Sequence, residues 1–198
     1  LHLSIRRQRQ MCIRDRAGVQ VVSGYPGTPS TEVLETVAKY NPGDIYVEWS
    51  VNEKAGMEVA AAAAYTGART MVTMKQVGLN VASDPLMSLA YVGVKGGLVV
   101  VAADDPGPIS SQTEQDTRRV GQVSKLPGFD PSSPEEAYEM IRDAFEYSEK
   151  YHTPVLFRPT TRLCHGCASV ELKERVKLPE HEGFVKDSGK WVIFPRLS

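Results

Sequence analysis

Between Ala17 and Arg158 the chain alternates short β-branched runs with longer segments of helical period, and this alternation limits the fold more than any single residue does. Gly18-Val19-Gln20-Val21-Val22-Ser23 reads as a strand, followed by strands at residues 45–49, 70–74, 97–103 and 154–158. Helical patterns fall after Pro29 and at residues 52–66, 80–91 and 133–151. Strand and helix taken in turn predict a three-layer α/β/α fold with a mostly parallel sheet, because parallel neighbours need a long crossover and a helix supplies it. Gly97-Leu98-Val99-Val100-Val101-Ala102-Ala103 is almost wholly apolar, as a strand covered on both faces should be.

The helix ends carry their own signals. Thr28 is expected to cap the first helix with Pro29 at its first position. Ser133-Pro134-Glu135-Glu136 is a capping box that opens the helix running to about Tyr151. Pro85, inside the 80–91 pattern, is tolerable only near a first turn.

In open parallel sheets ligands bind beyond the carboxyl ends of the strands. Four unusual segments follow strands here, at residues 24–30, 50–53, 75–80 and 104–116, and the topology predicts that they converge. Glu53 stands where the second strand gives way to an alanine-rich helix. A carboxylate there is favoured by the unpaired N–H groups and dipole of the helix; it can accept a hydrogen bond from a ligand, or simply serve its helix as a first-turn acid. Tyr25-Pro26-Gly27-Thr28-Pro29-Ser30 sets hydroxyls beside a helix N-terminus, which suits an anionic group such as a carboxylate and equally suits a well-capped turn. The polar run at 104–116 leaves a buried strand, and long loops so placed are more often functional than structural.

Composition excludes other classes. With 23 basic and 24 acidic residues, a net charge of -1, the chain has no nucleic-acid footprint, and no apolar run approaches the roughly 20 residues of a membrane span. Cys12, Cys164 and Cys167 are too few for a disulfide framework, and with no export signal they point to the cytoplasm. Cys164-His165-Gly166-Cys167 lacks the second ligand pair of a zinc site and reads as a peripheral loop, so no metal ligand is assigned. Residues 1–16 hold five arginines and one acid and read as a non-native, adapter-derived or disordered basic segment; without them 18 basic and 23 acidic residues leave a net charge of -5. Residues 17–159 form the expected domain, and 160–198 a linker toward a further C-terminal domain.

Several words then occur in order: Ser23-Gly24-Tyr25-Pro26-Gly27-Thr28-Pro29-Ser30, Asn52-Glu53-Lys54, Met74-Lys75-Gln76-Val77-Gly78-Leu79-Asn80-Val81-Ala82-Ser83-Asp84-Pro85-Leu86, Asp104-Asp105-Pro106-Gly107, Ser110-Ser111-Gln112, Glu114-Gln115-Asp116 and Thr153-Pro154-Val155-Leu156. Together they resemble the pyrimidine-binding domain of the thiamine-diphosphate-dependent 2-oxoacid:ferredoxin oxidoreductases, nearest to the alpha subunits of the indolepyruvate type. The likeness runs from about Ala17 to Val185.

The resemblance implies the chemistry. Glu53 would hydrogen-bond N1' of the cofactor's aminopyrimidine and favour the imino tautomer, whose 4' nitrogen removes the thiazolium C2 proton. Lys75, Gly78 and Asn80 would wall the cofactor. Tyr25, Thr28 and Ser30 would face the oxoacid, and residues 104–116 would form the rim or a subunit interface. It further implies an arylpyruvate substrate, coenzyme A as acyl acceptor, electron transfer through iron-sulfur clusters to ferredoxin, a second (beta) subunit in an oligomer, and Mg²⁺ with the diphosphate on a separate domain, since no Gly-Asp-Gly word occurs here. Gln76 and Ile109 stand where the family leads one to expect histidine, and each removes a group that titrates near neutral pH.

Three other readings stand beside this one. The enzyme could act on pyruvate or a branched-chain oxoacid, or the domain could be a non-catalytic stabiliser of such an assembly. A dinucleotide site is disfavoured, because the first turn carries Gly24-Tyr25-Pro26-Gly27 rather than Gly-x-Gly-x-x-Gly.

Overall fold

A computed structural model of the chain describes residues 17–41, 43–166, 168, 170, 174, 176 and 183–193. Among these, β1 (Val21–Gly24), β2 (Tyr46–Trp49), β3 (Thr70–Lys75), β4 (Leu98–Ala103), β5 (Gly128–Phe129) and β6 (Val155–Phe157) form one sheet in the order β2-β1-β3-β4-β6-β5. Every pairing is parallel. The helices are α1 (Thr31–Tyr40), α2 (Glu53–Tyr65), α3 (Gln76–Val81), α4 (Ser83–Val92), α5 (Thr117–Ser124), α6 (Pro134–Tyr151), α7 (Thr161–His165) and α8 (Ser188–Trp191).

Pleating sends successive strand residues to opposite faces, and the two cores follow that alternation. Val22, Met71, Val99, Val101 and Phe157 pack with Leu34 and Val37 of α1 and with Ile141 and Phe145 of α6. Val72, Met74, Val100, Ala102 and Leu156 pack on the other face with Met57, Ala60 and Ala64 of α2 and Leu86 and Leu89 of α4. The expected three layers are therefore present, with the apolar strand β4 buried at every position.

The small residues of α2 let it lie close against β1. Ser23 Oγ donates to the Gly56 carbonyl at 2.7 Å, and a methyl group at Gly56 would already touch the Gly24 backbone at 3.5 Å. Asn52 caps α2 by accepting the Ala55 N–H at 2.8 Å. The helix start, and Glu53 with it, is thereby fixed at the carboxyl end of β1.

Several boundaries differ from the sequence reading. Thr28 does not cap α1 and Pro29 is not its first residue. The helix begins at Thr31 after Ser30, the Thr28-Pro29 peptide is cis, and the turn is closed by Gly27 N–H donating to Thr31 Oγ1 (2.7 Å) and Ser30 Oγ donating to the Gly27 carbonyl (2.6 Å). The 80–91 helix is two helices: residues 76–81 are already helical, and α4 restarts at Ser83 with Pro85 in its first turn, where a missing N–H is harmless. The Ser133 cap is formed, but the Glu136 carboxylate accepts from Ser132 N–H and hydroxyl instead of closing the box on Ser133.

Helix α5 and strand β5 carry no readable pattern. α5 is polar with Gly121 inside it, and β5 has two residues whose conformation is set by pairing with β6. Beyond Pro159, Thr160 bridges Asp104 and α7 begins, so Cys164 and His165 end a short helix; Cys167 lies outside the described residues, as do residues 1–16. Trp191 of α8 packs on Tyr65 at the end of α2, ring centroids 4.7 Å apart. No helix among the described residues is long and apolar enough to cross a membrane.

A side chain at Gly24 has no room, since a Cβ there would overlap Thr73 Oγ1 and lie 2.7 Å from the Thr73 carbonyl oxygen. Gly24→Ala should therefore cost about 1–3 kcal/mol, the scale of overpacking a core, read as a lower urea midpoint at unchanged slope.

Candidate active site

Strands β2, β1, β3 and β4 lie side by side, so the segments that leave their carboxyl ends meet along one edge of the sheet. Glu53 is the first residue of α2 and only 9% exposed. Its carboxylate accepts no hydrogen bond from any described residue and rests against Gly78 of α3. A methyl group at position 78 would lie 2.5 Å from Glu53 Oε1 and 2.9 Å from its carboxyl carbon. Glycine at 78 is the condition for the carboxylate to be where it is.

The other wall is built from the exit of β3. Lys75 lies along Gly27, where a Cβ would sit 3.0 Å from Lys75 Cγ, so the lysine stem flanks the turn that carries Thr28. Thr28 is exposed and Tyr25 is 37% exposed, both open to a ligand. Ser30 is fully buried and its hydroxyl is committed to Gly27, so it shapes the turn and does not face outward. Asn80 is exposed and lies about 200° round α3 from Gly78, so the two do not share a face.

The segment after β4 folds back over this edge. Asp105 Oδ2 accepts the N–H groups of Ile109 (2.9 Å), Ser110 (2.8 Å) and Ser111 (3.0 Å), while Oδ1 accepts the Thr161 hydroxyl at 2.8 Å. Ser110 Oγ reaches the Thr28 carbonyl at 3.5 Å, the outer limit of a hydrogen bond, and the fully buried Gln76 donates to the Thr113 carbonyl at 3.2 Å. Asp104 holds the far end of the segment, accepting Thr117 N–H at 3.0 Å while paired with Arg158 at 2.5 Å. Sequence reasoning gave 104–116 only to the rim or a subunit interface and missed Asp105; the signal was Asp followed by Pro106-Gly107, since an aspartate at the head of a turn bonds to N–H groups a few residues on.

Buried side-chain atoms without a hydrogen-bond partner, among the described residues, are Thr73 Oγ1, Gln76 Oε1, Asp104 Oδ1, Ser111 Oγ and Thr117 Oγ1. All five lie toward the carboxyl ends of β3 and β4, in the segment between β4 and α5, or at the first residues of α3 and α5. Unpaired buried polar atoms are costly, and their concentration at one edge marks it as the functional end of the sheet. The described residues contain no group of three His, Cys, Asp or Glu side chains that could hold a metal ion.

The family described as pyruvate flavodoxin/ferredoxin oxidoreductase, thiamine diphosphate-binding, matches residues 14–188. The chain belongs to this family. Among curated proteins, indolepyruvate oxidoreductase subunit IorA of Methanothermobacter thermautotrophicus is 50% identical over 182 residues, which are 90% of this chain and 29% of the relative. The same subunit of Archaeoglobus fulgidus is 48% identical over 171 residues, 84% of this chain and 27% of its own length. A solved structure of 2-oxoglutarate:ferredoxin oxidoreductase from Magnetococcus marinus matches with a TM-score of 0.67 at 23% identity, over 80% of this chain and 28% of that one; at this identity it shows the fold alone. The chain thus spans about 29% of the length of the first of these relatives.

A largely buried carboxylate with no donor among the described residues, packed against a glycine that leaves it room, suits the edge of a flat heteroaromatic ring that brings its own donor.

The Asp105 clasp has a measurable consequence. Burial pushes its carboxyl up, but hydrogen bonds from Ser110, the Thr161 hydroxyl, Ile109 and Ser111 outweigh burial and hold it down at about 2, against 3.8 for a free aspartate. A depressed carboxyl stabilises the fold fully above the unfolded value and ceases to do so as pH falls through the folded one. Stability should therefore drop between about pH 4 and pH 2, and Asp105→Asn should flatten that part of a urea-midpoint-against-pH profile while leaving the share due to Asp116, also held at about 2 by Arg118.

Proposed function

We propose that the whole protein of which this chain is part oxidatively decarboxylates an arylpyruvate of the indolepyruvate type to an acyl-coenzyme A and passes the electrons to ferredoxin, with this domain as the pyrimidine-binding half of the cofactor site. The observation that carries the reading is the Glu53 carboxylate, held without a donor from any described residue against Gly78 in a thiamine-diphosphate-binding family. The 50% identity to an indolepyruvate oxidoreductase subunit supports the substrate type.

Bound thiamine diphosphate supplies the carbanion and electron sink that decarboxylation of a 2-oxoacid needs. Glu53 accepts a hydrogen bond from the ring nitrogen and holds the proton there. Gly78 leaves room for the carboxylate and Lys75 borders it, while Asn80, on another face of α3, is not given a part. Thr28 and Tyr25 present a hydroxyl and a half-exposed ring to the oxoacid, on a turn whose shape is set by Ser30 and Thr31. Mg²⁺ and the diphosphate belong to another domain, reached through residues 160–198, and the iron-sulfur clusters to another region. A second subunit completes a cytoplasmic oligomer.

A rival within the same chemistry is a different 2-oxoacid. The 2-oxoglutarate synthase subunit KorA of Methanothermobacter thermautotrophicus is 25% identical over 176 residues, a more distant match than the indolepyruvate subunits, and this favours the aromatic reading.

In the full-length subunit assembled with its partner, Glu53→Gln should lower oxoacid-dependent ferredoxin reduction on the order of 10²-fold or more, the scale of a positioned acid–base group. Near wild-type rate in that variant would remove the role given to Glu53. Gly78→Ala is the sharper companion. The obstacle it meets is the Glu53 side chain, Cγ as well as carboxylate, and not backbone, so the variant should displace Glu53 and activity should fall as it does in Glu53→Gln while the protein still folds with a cooperative urea transition.

A further inference from the structure

A buried carboxylate is an expensive way to hold an exposed loop. Asp105 is fully buried, yet the residues it fastens are on the surface: Pro106, Gly107, Pro108 and Ser110 are exposed, and Ile109 is 67% exposed. A loop that needed only to connect β4 to α5 could remain loose at no cost to the core. This one is fixed at three places: by Asp105 Oδ2 on three successive N–H groups, by Ser110 against the Thr28 carbonyl, and by Gln76 on the Thr113 carbonyl. The other carboxylate oxygen is tied to Thr161 at the start of α7, whose N–H in turn donates to the Asp104 carbonyl at 2.9 Å. The anchor is therefore rigid on the side of the sheet, and the fastened end lies on the Thr28 turn.

We propose that Asp105 is a positioning residue for the reaction assigned above: its carboxylate holds residues 106–111 against the Thr28 turn, so that this loop forms one wall of the oxoacid subsite. The inference rests on the reading of Thr28 as substrate-facing. Asp105 itself touches neither substrate nor cofactor. Its three backbone bonds set where Ile109 and Ser110 stand, and the Thr161 hydroxyl sets where Asp105 stands. Glu53 is served by α2 and α3, and α3 meets the loop through the Gln76–Thr113 bond, which Asp105 does not make, so loosening the Asp105 bonds should weaken the oxoacid without weakening the cofactor.

The test uses the full-length enzyme with its partner subunit. Asp105→Ala should raise the oxoacid KM about tenfold with thiamine-diphosphate affinity and the coenzyme A KM unchanged, the pattern of lost positioning on one ligand only. Asp105→Asn, which keeps an acceptor oxygen for the loop N–H groups, should recover most of the loss. Should Asp105→Ala fail to fold, Thr161→Val removes only the outer tie. It should raise the oxoacid KM about threefold and speed hydrogen exchange at Ile109, Ser110 and Ser111 while the amides of β3 and β4 stay protected. An unchanged oxoacid KM in the folded variants, or a loss shared equally by thiamine-diphosphate affinity, overturns the proposal. Glu53→Gln run alongside separates the two readings: an active Glu53→Gln enzyme removes the functional assignment, whereas an inactive one beside an Asp105→Ala enzyme of normal KM removes only the positioning role.

Discussion

The close approach of α2 to β1 is the constraint on which the rest of this structure depends. Gly24 and Gly56 face each other without side chains, and Ser23 ties the Gly56 carbonyl to the end of the strand. A methyl group at Gly56 would already be in van der Waals contact with the Gly24 backbone, so anything larger there would push the helix away from the sheet and carry its first residue off the edge where β1 and β3 end, whereas a side chain at Gly24 would meet Thr73 and Leu34 instead. Glu53 owes its place to this packing and to the Asn52 cap, not to any bond of its own side chain. The exposed Lys54–Asp84 pair adds little, since surface ion pairs contribute at most about 1 kcal/mol. Backbone geometry thus delivers the carboxylate, and the carboxylate stays unspent.

The two ends of the sheet solve opposite problems. At the amino end Arg69 is nearly saturated: it donates two bonds to Glu149 and one to the Ala17 carbonyl, and the Arg69 N–H donates to Gln20. Polar groups there serve closure. At the carboxyl end buried oxygens of Thr73, Gln76, Asp104, Ser111 and Thr117 take no partner, and Glu53 faces a cradle made by a glycine. Bonding capacity is left over where a ligand would use it, whereas at the amino end three bonds of the buried arginine hold helix and strand together. This division fits the general placement of ligands in open parallel sheets, and here it can be counted atom by atom.

Much of this was legible in the sequence because it depends on local period and composition. The five longer strands, the helix beginning at Asn52-Glu53 and the long α6 announce themselves through apolar spacing and caps, and the convergence of the four segments follows from a parallel sheet alone. What escaped depends on tertiary contact. β5 exists only because β6 pairs with it, and α5 is mostly polar, meeting the core through Val120 and Gly121. The start of α1 was misread because Thr28-Pro29 satisfies the local rule for a cap, whereas the turn is closed by bonds among Gly27, Ser30 and Thr31. Residue words identified Glu53 as a candidate, but nothing in them said that Gly78 had to be glycine for its sake. Ser30 shows the converse: a hydroxyl counted as available is buried and already used.

Asp104 and Asp105 show how two identical side chains at the same strand exit are made to do different work. Both are fully buried, so each negative charge needs compensation. Asp104 obtains it from Arg158 at the end of β6, a cation that also reaches Asp130 at 3.0 Å, and so ties its own strand to the next. Asp105 has no cation beside it among the described residues; it is compensated by N–H dipoles of its own chain and by one hydroxyl. A charge balanced by a neighbouring strand stiffens the sheet, whereas a charge balanced by the residues that follow it bends those residues back. The sequence Asp-Asp therefore combines a fixed base with a shaped loop, and the loop can only be as well placed as the base from which it turns.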